Sequence, residues 1–193
     1  LKTKHSDIIF GDSCWDLLNS YVKTNAYSSI FLLTDRNTKL KCLPIASTKI
    51  EFDFNTLEMQ AGEENKHILS CVSLWNSLSE KGADRKSLLI NIGGGVVTDL
   101  GGFVACTFKR GIDFINIPTS LLAMVDASVG GKTGIDLGAL KNQVGIIREP
   151  KMVLVDTNFL DTLPDLEYRS GYAEMLKHGL IKEPAYFETL SVF

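Results

Sequence analysis

Residues 88–99 have the sequence Leu88-Leu89-Ile90-Asn91-Ile92-Gly93-Gly94-Gly95-Val96-Val97-Thr98-Asp99, and this stretch decides the fold class. The apolar run at its start is typical of a buried parallel strand. Three adjacent glycines follow, and a helix is predicted from Val96 to about Phe108. Because glycine has no Cβ atom, the backbone N–H groups at this strand-to-helix turn are open to a pyrophosphate. The stretch therefore indicates a dinucleotide site in an α/β domain.

The glycine turn matches the dinucleotide-binding fingerprint only in part, so two interpretations stay open. Gly93 and Gly95 fit the first two glycine positions of that fingerprint, whereas Thr98 occupies the third. A glycine turn with a purely structural role is the alternative. Asp99 also has two interpretations, since a carboxylate in the first helical turn stabilises the helix dipole and can equally accept hydrogen bonds from a ribose.

Apolar runs alternate with helical patterns along the rest of the chain. Strands are predicted at 29–35, 45–54, 114–117 and 152–156, and helices at 63–81, 119–125 and 164–180, with Thr119 as the cap of the short one. The segment 127–146 is rich in Gly, Lys and Asn and is expected to form a long irregular loop. The alternation predicts a parallel α/β sheet that binds ligands at the carboxyl ends of its strands.

The composition argues against several classes of protein. Of the 193 residues, 45% are hydrophobic and 22% are charged, which is typical of a globular domain, and the formal net charge of −3 gives no reason to expect a nucleic-acid or membrane partner. We find no signal-peptide pattern and no membrane-spanning run. The cysteines, Cys14, Cys42, Cys71 and Cys106, lie far apart, so we expect reduced thiols in a cytoplasmic protein.

Two further motifs bear on the chemistry. The run Gly130-Gly131-Lys132-Thr133 resembles the end of a P-loop, but Asp126 stands where that motif needs glycine, so nucleotide hydrolysis is not expected. Glu174, Lys177 and His178 share one face of a predicted helix. A carboxylate and an imidazole one turn apart can share a metal ion. The alternative is a solvated helix face that carries an ion pair.

Taken in order, the segments of the chain resemble the 3-dehydroquinate synthase family. The matching blocks are GGGVVTDLGGFVA (93–105), FKRGIDFINIPTSLLAMVDASVGGKTGI (108–135), LKNQVG (140–145), VLVDTNFLDTLP (153–164) and SGYAEMLKHGLI (170–181). The resemblance implies a Rossmann-like NAD-binding domain over 1–163, with a parallel sheet flanked by helices. It also implies that 164–193 begin an all-helical domain for metal and substrate, and that the protein is a homodimer.

The activity implied by this resemblance is that of a phosphate-releasing lyase of the shikimate pathway. It converts 3-deoxy-D-arabino-heptulosonate 7-phosphate to 3-dehydroquinate with catalytic NAD and a divalent metal, zinc or cobalt. One alternative is another sugar-phosphate cyclase, such as a 2-deoxy-scyllo-inosose or valiolone-type synthase. A second is a non-catalytic NAD-binding module. The more distant glycerol and iron-dependent alcohol dehydrogenases lack the paired GGK and KN blocks.

The resemblance also implies roles for individual residues. Positions that match cofactor contacts are Asp35, Glu63, Lys66, Gly95, Val96, Val97, Asp99, Thr119, Ser120, Phe159, Leu160, Asp161 and Thr162. Positions that match substrate contacts are Asp126, Lys132, Lys141, Asn142 and Lys177, of which Lys132 and Lys141 are also assigned to the cofactor. Arg110 matches an arginine that reaches a phosphate across the dimer interface, and Glu174 matches the carboxylate metal ligand. A substrate with carboxylate and phosphate groups favours such lysines and arginines.

The chain departs from the family pattern at several points. Ala61 replaces a residue that is often polar, Ser120 replaces threonine, and His178 stands where tyrosine is common, so no ligand role is transferred to His178. The family's remaining metal ligands are histidines of the helical domain, beyond residue 193. Because catalytic zinc normally has three protein ligands, we expect this chain to be a fragment that is inactive alone.

Overall fold

The computed structural model describes residues 6–11 and 13–192, which contain a six-stranded parallel sheet flanked by helices. The sheet strands are β1 (Asp7–Phe10), β2 (Ile30–Asp35), β3 (Asn55–Met59), β4 (Leu88–Gly93), β5 (Asp113–Pro118) and β8 (Met152–Val155); β6 (Lys132–Leu137) and β7 (Leu140–Ile147) form an antiparallel hairpin. The α-helices are α1 (Cys14–Asn25), α2 (Arg36–Lys41), α3 (Leu43–Ser47), α4 (Ile68–Glu80), α5 (Gly95–Thr107), α6 (Asp165–Lys182) and α7 (Pro184–Ser191). Short 3₁₀ turns lie at Glu63–Asn65, Phe108–Arg110 and Thr157–Thr162, and a π-helical turn at Ala123–Ala127. The Rossmann-like α/β fold predicted from the sequence is confirmed.

The strand order of the sheet is β3-β2-β4-β5-β8-β1. The direction in which successive strands are added to the sheet reverses once, after β3. The chain moves from β2 outward to β3, and β4 then pairs with the opposite side of β2, followed by β5 and β8. Open α/β sheets bind ligands outside the carboxyl ends of the strands at such a reversal. Asp35 ends β2 and Gly93 ends β4, so these residues flank the expected crevice.

The core of the protein lies on both faces of the sheet. Leu32 and Ile90 pack on one face with residues of α1, and Leu33 and Leu89 pack on the other with residues of α4 and α5. Because neither face is left to solvent, the central strands are continuous apolar runs rather than alternating ones. This is why the strand over 88–92 could be identified from the sequence.

Three local predictions are wrong. Residues 127–146 do not form an irregular loop throughout, because 132–147 form the hairpin. Gly134 and Gly145 pair across it. A Cβ atom at Gly134 would lie 2.8 Å from the Val144 carbonyl oxygen. The strand expected at 45–54 is replaced by α3, which has a proline in its first turn, and by irregular backbone before β3. The third is the helix cap assigned to Thr119, since the Ala123 N–H group at the start of the π-helical turn donates to the Ser120 hydroxyl oxygen instead.

Other expectations agree with the structure. The helix predicted over 63–81 is present as α4, although it begins later, where the His67 side chain accepts a hydrogen bond from the Ser70 N–H group. All four cysteines are buried and unpaired. Within the described part of the chain, no helix is both long enough and apolar enough to cross a bilayer. Pro164 directly precedes α6, and the domain boundary at 163/164 stays a prediction.

Candidate functional site

The glycine turn forms part of the wall of a cleft of about 660 Å³ at the sheet reversal. Helix α5 begins at Gly95, and no described side chain caps it through a hydrogen bond. The first backbone N–H groups of a helix have no intrahelical partner, and the helix dipole adds positive potential there. The residues predicted to contact a cofactor that line this cleft are Asp35, Glu63, Lys66, Gly95, Val96, Val97, Asp99, Thr119, Ser120 and Thr162.

The packing beside the turn is tight, so a side chain at Gly94 or Gly95 would have to displace its neighbour. A Cβ atom at Gly95 would lie 3.2 Å from the Ala127 Cβ atom, and one at Gly94 would lie 3.3 Å from the Ser120 hydroxyl oxygen. Both neighbours belong to the segment that follows β5. Glycine therefore lets this segment pack closely against the start of α5, whose first residues line the cleft.

Three polar side chains of the cleft are held by hydrogen bonds within the protein. The Asp35 Oδ1 atom caps α2 by accepting from the Thr38 N–H group at 2.8 Å. The Ser120 hydroxyl oxygen accepts from the Ala123 N–H group at 3.3 Å. The Thr162 hydroxyl donates to the Phe159 carbonyl oxygen at 2.7 Å. Each group retains further acceptor capacity, so it can serve a ligand while its position is fixed.

A buried ammonium group connects the cleft to the hairpin. The Lys66 side chain is 4% exposed, and its Nζ atom donates to Asp99 Oδ2 at 2.6 Å and to Asn142 Oδ1 at 2.7 Å. Burial raises the pKa of Asp99, and the charge of Lys66 opposes that rise. Asp99 lies on α5 and Asn142 on β7. The ammonium therefore brings a predicted cofactor residue and a predicted substrate residue together.

A second cleft, of about 560 Å³, adjoins the first, and Asp99 and Ala127 line both. Asp126, Lys132 and Asn142, which the sequence assigned to substrate binding, line the second cleft. Lys132 is exposed and begins the strand β6. Because the lysine of a P-loop lies at the start of a helix, the P-loop interpretation was rightly rejected.

Helix α6 packs closely on the segment after β5 and carries the predicted metal ligand to Asp126. A Cβ atom at Gly171 would lie 2.5 Å from the Leu122 backbone nitrogen, so only glycine permits this approach. One helical turn further on, Glu174 and His178 meet Asp126, and ligand atoms of these three residues lie within 4.8 Å of one another. Two carboxylates and an imidazole form a donor set that suits zinc or cobalt.

The same helix face also carries an ion pair. Lys177 Nζ contacts Glu174 Oε1, and His178 Nε2 lies 3.1 Å from the same oxygen. The hydrogen bond from Lys177 lowers the pKa of the Glu174 carboxyl. Both interpretations of this face therefore have support: an ion pair is present, and its carboxylate belongs to a group of possible metal ligands.

Several predicted site residues lie elsewhere. Lys141 Nζ lies 3.2 Å from Glu63 Oε1. Phe159 is fully buried, with its ring centroid 6.3 Å from that of Trp15, while Leu160 and Asp161 belong to the turn Thr157–Thr162. Arg110 is exposed and follows the carboxyl end of α5, whose 13 residues separate it from the glycine turn. At ~1.5 Å per residue this separation is about 20 Å.

Several residues that line the first cleft were not predicted from the sequence. They are Asn37, Thr38, Lys41 and Cys42, which follow β2, and Leu163, Pro164 and Glu167, which lie just before α6 and in its first turn. One signal was available for the first group. Asp35 and Thr38 have the three-residue spacing of a capping box, which indicates that a helix begins directly after β2 at the edge of the crevice.

Comparison with known proteins identifies the family of the chain. A family model described as "3-dehydroquinate synthase N-terminal" matches residues 56–170. The 3-dehydroquinate synthase of Parabacteroides distasonis is 47% identical over 184 residues, which cover 93% of this chain and 52% of the relative. The chain thus spans about half the length of the curated relatives it matches.

Solved structures of two cyclases are also similar. A 2-deoxy-scyllo-inosose synthase complexed with carbaglucose-6-phosphate, NAD+ and Co2+ has a TM-score of 0.82 and 26% identity, covering 91% of this chain and 48% of that one. The 2-epi-5-epi-valiolone synthase ValA from Streptomyces hygroscopicus, with NAD+ and Zn2+ bound, has a TM-score of 0.83 and 27% identity, covering 96% of this chain and 52% of that one.

Proposed function

Because this chain belongs to the 3-dehydroquinate synthase family, we propose that it forms the NAD-binding half of a 3-dehydroquinate synthase. The complete protein would convert 3-deoxy-D-arabino-heptulosonate 7-phosphate to 3-dehydroquinate and phosphate. The observation that carries this proposal is the pair of adjoining clefts, one walled by the free amino end of α5 and the other by Lys132 and Asp126.

The first cleft fits the pyrophosphate and ribose groups of NAD. Its volume lies in the range of cofactor sites. The amides of Gly95 and Val96 would hold the pyrophosphate, and Asp35 or Asp99 would accept hydrogen bonds from ribose hydroxyls. When bound, NAD would supply the acceptor for a hydride from a substrate hydroxyl and return that hydride later in the cycle. The protein's part is to hold the nicotinamide end beside the second cleft.

The residues near Asp126 fit part of a divalent metal site. Glu174 is proposed as a ligand, and Asp126 and His178 lie close enough to complete a set of three donors. A divalent cation there would polarise the oxygen of the hydroxyl to be oxidised. Lys177 forms an ion pair with the Glu174 carboxylate. When a cation is present, the Lys177 ammonium would therefore have to leave that carboxylate and move toward the substrate.

The second cleft would bind the anionic substrate through ammonium groups. Lys132 is exposed at its wall and unlike Lys66 is not buried in an ion pair. Charge-assisted hydrogen bonds to phosphate or carboxylate are roughly twice as strong as neutral ones. Arg110 lies in the turn after α5 and lines neither cleft of its own chain, so its proposed contact is to the substrate of a second copy in a homodimer.

The proposal is tested by phosphate release. The purified complete protein, supplied with the sugar-phosphate substrate, NAD and Zn²⁺ or Co²⁺, should release one phosphate per 3-dehydroquinate formed, without net NADH accumulation. Omission of NAD and prior chelation of the metal serve as controls. Absence of phosphate release above these controls would refute the proposal.

A second candidate is another sugar-phosphate cyclase activity. It is favoured by the two solved cyclases, which have similar folds over more than nine-tenths of this chain. Their identity of 26–27% is well below the 47% shared with a 3-dehydroquinate synthase, and therefore we rank it second. Mass spectrometry of the product distinguishes the two, since only the first yields 3-dehydroquinate.

A further inference from the structure

Lys66 joins three separate elements through a single ammonium group. It follows the turn Glu63–Asn65 and donates to Asp99 on α5 and to Asn142 on the hairpin. The backbone completes the connection, because the Asp136 N–H group donates to the Lys66 carbonyl oxygen at 2.8 Å. The Asp136 carboxylate in turn accepts from the Asn142 N–H group at 2.7 Å.

Asn142 adopts the backbone conformation that this arrangement needs. Its φ is 54°, in the left-handed region that asparagine tolerates better than most residues. The hydrogen bond from its N–H group to Asp136 holds the backbone there, while its side-chain oxygen accepts from Lys66. The hairpin is therefore bound to the buried Lys66 ammonium through Asn142 and its left-handed backbone conformation.

The outer strand of the hairpin, β7, makes few other contacts with the rest of the protein. Every residue of β7 is exposed except Ile146, which is half-buried. Lys141 and Glu63 form an ion pair, but both side chains are exposed, and such pairs stabilise little. Segments with exposed backbone and few buried contacts open locally at low cost. If this outer strand moves away from Lys66, the ammonium of that 4% exposed side chain loses one of its two acceptors.

We propose that Lys66 is a positioning residue that couples the two clefts, so that NAD bound beside Asp99 fixes the hairpin and with it the wall of the substrate cleft. The inference rests on the proposed function. A ligand shifts an equilibrium only as far as it prefers one state. NAD would prefer the attached state because Asp99, which lines both clefts, is then held by Lys66.

Hydrogen exchange of the complete protein, with and without saturating NAD, tests this coupling. In the wild type we expect amides of residues 136–146 to exchange at least fivefold more slowly when NAD is bound. Asn142→Gly keeps the left-handed backbone but removes the acceptor, so it should abolish the slowing. Asn142→Asp retains an acceptor for Lys66 and should preserve it. Lys39→Met, which breaks an exposed pair with Glu58, is the control.

The outcomes separate the coupling from the proposed function. If calorimetry shows that NAD binds and the hairpin exchange does not respond, the coupling is wrong and the proposed function stands. If Asn142→Gly responds to NAD as the wild type does, the role of Lys66 is refuted. Absence of NAD binding to the wild type would refute the proposed function and the coupling together. Lys66→Met should behave as Asn142→Gly does, and because Asn142 is exposed, the test does not depend on Lys66→Met folding.

Discussion

Asp156, which follows β8 and caps the turn Thr157–Thr162, is a buried carboxylate whose replacement has a clearly defined cost. It is 6% exposed, and its Oδ2 atom accepts from Trp15 Nε1 at 2.8 Å and from Lys49 Nζ at 2.7 Å. Its Oδ1 atom accepts from the Asn158 backbone N–H at 3.0 Å and from Asn158 Nδ2 at 2.8 Å. In Asp156→Asn, the new amide oxygen can still accept the hydrogen bonds from Asn158. The NH₂ group of the amide then points toward Trp15 Nε1 and Lys49 Nζ, which are both donors.

The expected loss of stability follows from those contacts. The indole N–H group of Trp15, a residue that is 4% exposed, would lose its acceptor, at a cost of about 1–3 kcal/mol. Lys49 is one-third exposed, so water replaces part of its lost ion pair, and that loss adds about 1 kcal/mol. The total is about 3 kcal/mol, at the lower limit for breaking a buried pair. For a domain of this size it lowers Tm by about 6–12 °C.

Urea unfolding followed by circular dichroism measures this loss. Lys39→Met, which removes the exposed pair with Glu58, is the matched control and should change the free energy of unfolding by no more than about 0.5 kcal/mol. If Asp156→Asn lies within about 1 kcal/mol of the wild type, the carboxylate is not the stabilising acceptor described here.

The same comparison has a defined pH dependence. Burial raises the pKa of Asp156, but the hydrogen bonds from Lys49, Trp15 and Asn158 outweigh it, so the pKa in the folded state lies below the usual value of an aspartate carboxyl. A depressed carboxyl pKa stabilises the fold above the unfolded value, and that stabilisation is lost as the pH falls through the folded one. The difference between the wild type and Asp156→Asn should be constant near neutral pH and shrink below about pH 4.

Three further predictions concern the clefts of the complete protein. Gly95→Val should weaken NAD binding at least tenfold by calorimetry, because a Cβ atom there would lie 3.2 Å from Ala127 and the side chain would cover the amides; unchanged affinity would contradict the anion site. Lys132→Ala should raise the KM for the phosphate substrate roughly tenfold or more, because a charge-assisted hydrogen bond is lost. The affinity for NAD should stay within about twofold of the wild type. A collapse of NAD binding would argue against the substrate role of Lys132. Mixing Arg110→Ala with Lys132→Ala subunits should restore part of the activity, since one cleft of a mixed dimer then holds both side chains, and no recovery would exclude a contact across subunits.

The sequence identified the elements whose local pattern and tertiary role agree. The strand over 88–92 is buried on both faces, and the glycines after it open α5. The strand predicted at 45–54 is wrong because Phe52 and Phe54 pack against the core from irregular backbone. The apolar pattern of this segment reflects burial and not a strand. Elements β1 and α1, which complete the far edge of the sheet, had not been recognised.

The candidate site divides in the same way. Residues next to motif glycines, such as Asp99 and Lys132, lie at the clefts. The glycines at 134 and 145 were interpreted as breaking secondary structure, but they face each other across the hairpin, where side chains would collide with the partner strand. The contact between Lys66 and Asn142 joins positions 76 residues apart, and no local pattern encodes such a pair.

The two proposed clefts would hold anions by different means, and the difference follows from which charges are already paired. In the first cleft Lys66 is committed to Asp99, and Lys41 donates to the Thr162 carbonyl oxygen at 3.3 Å. A pyrophosphate there would depend mainly on the amides of α5, which are short-range dipoles. In the second cleft Lys132 is exposed, and salt screens exposed charges strongly. Raising the ionic strength should therefore weaken the binding of the sugar phosphate more than that of NAD, because one site presents fixed dipoles and the other a solvated ammonium group.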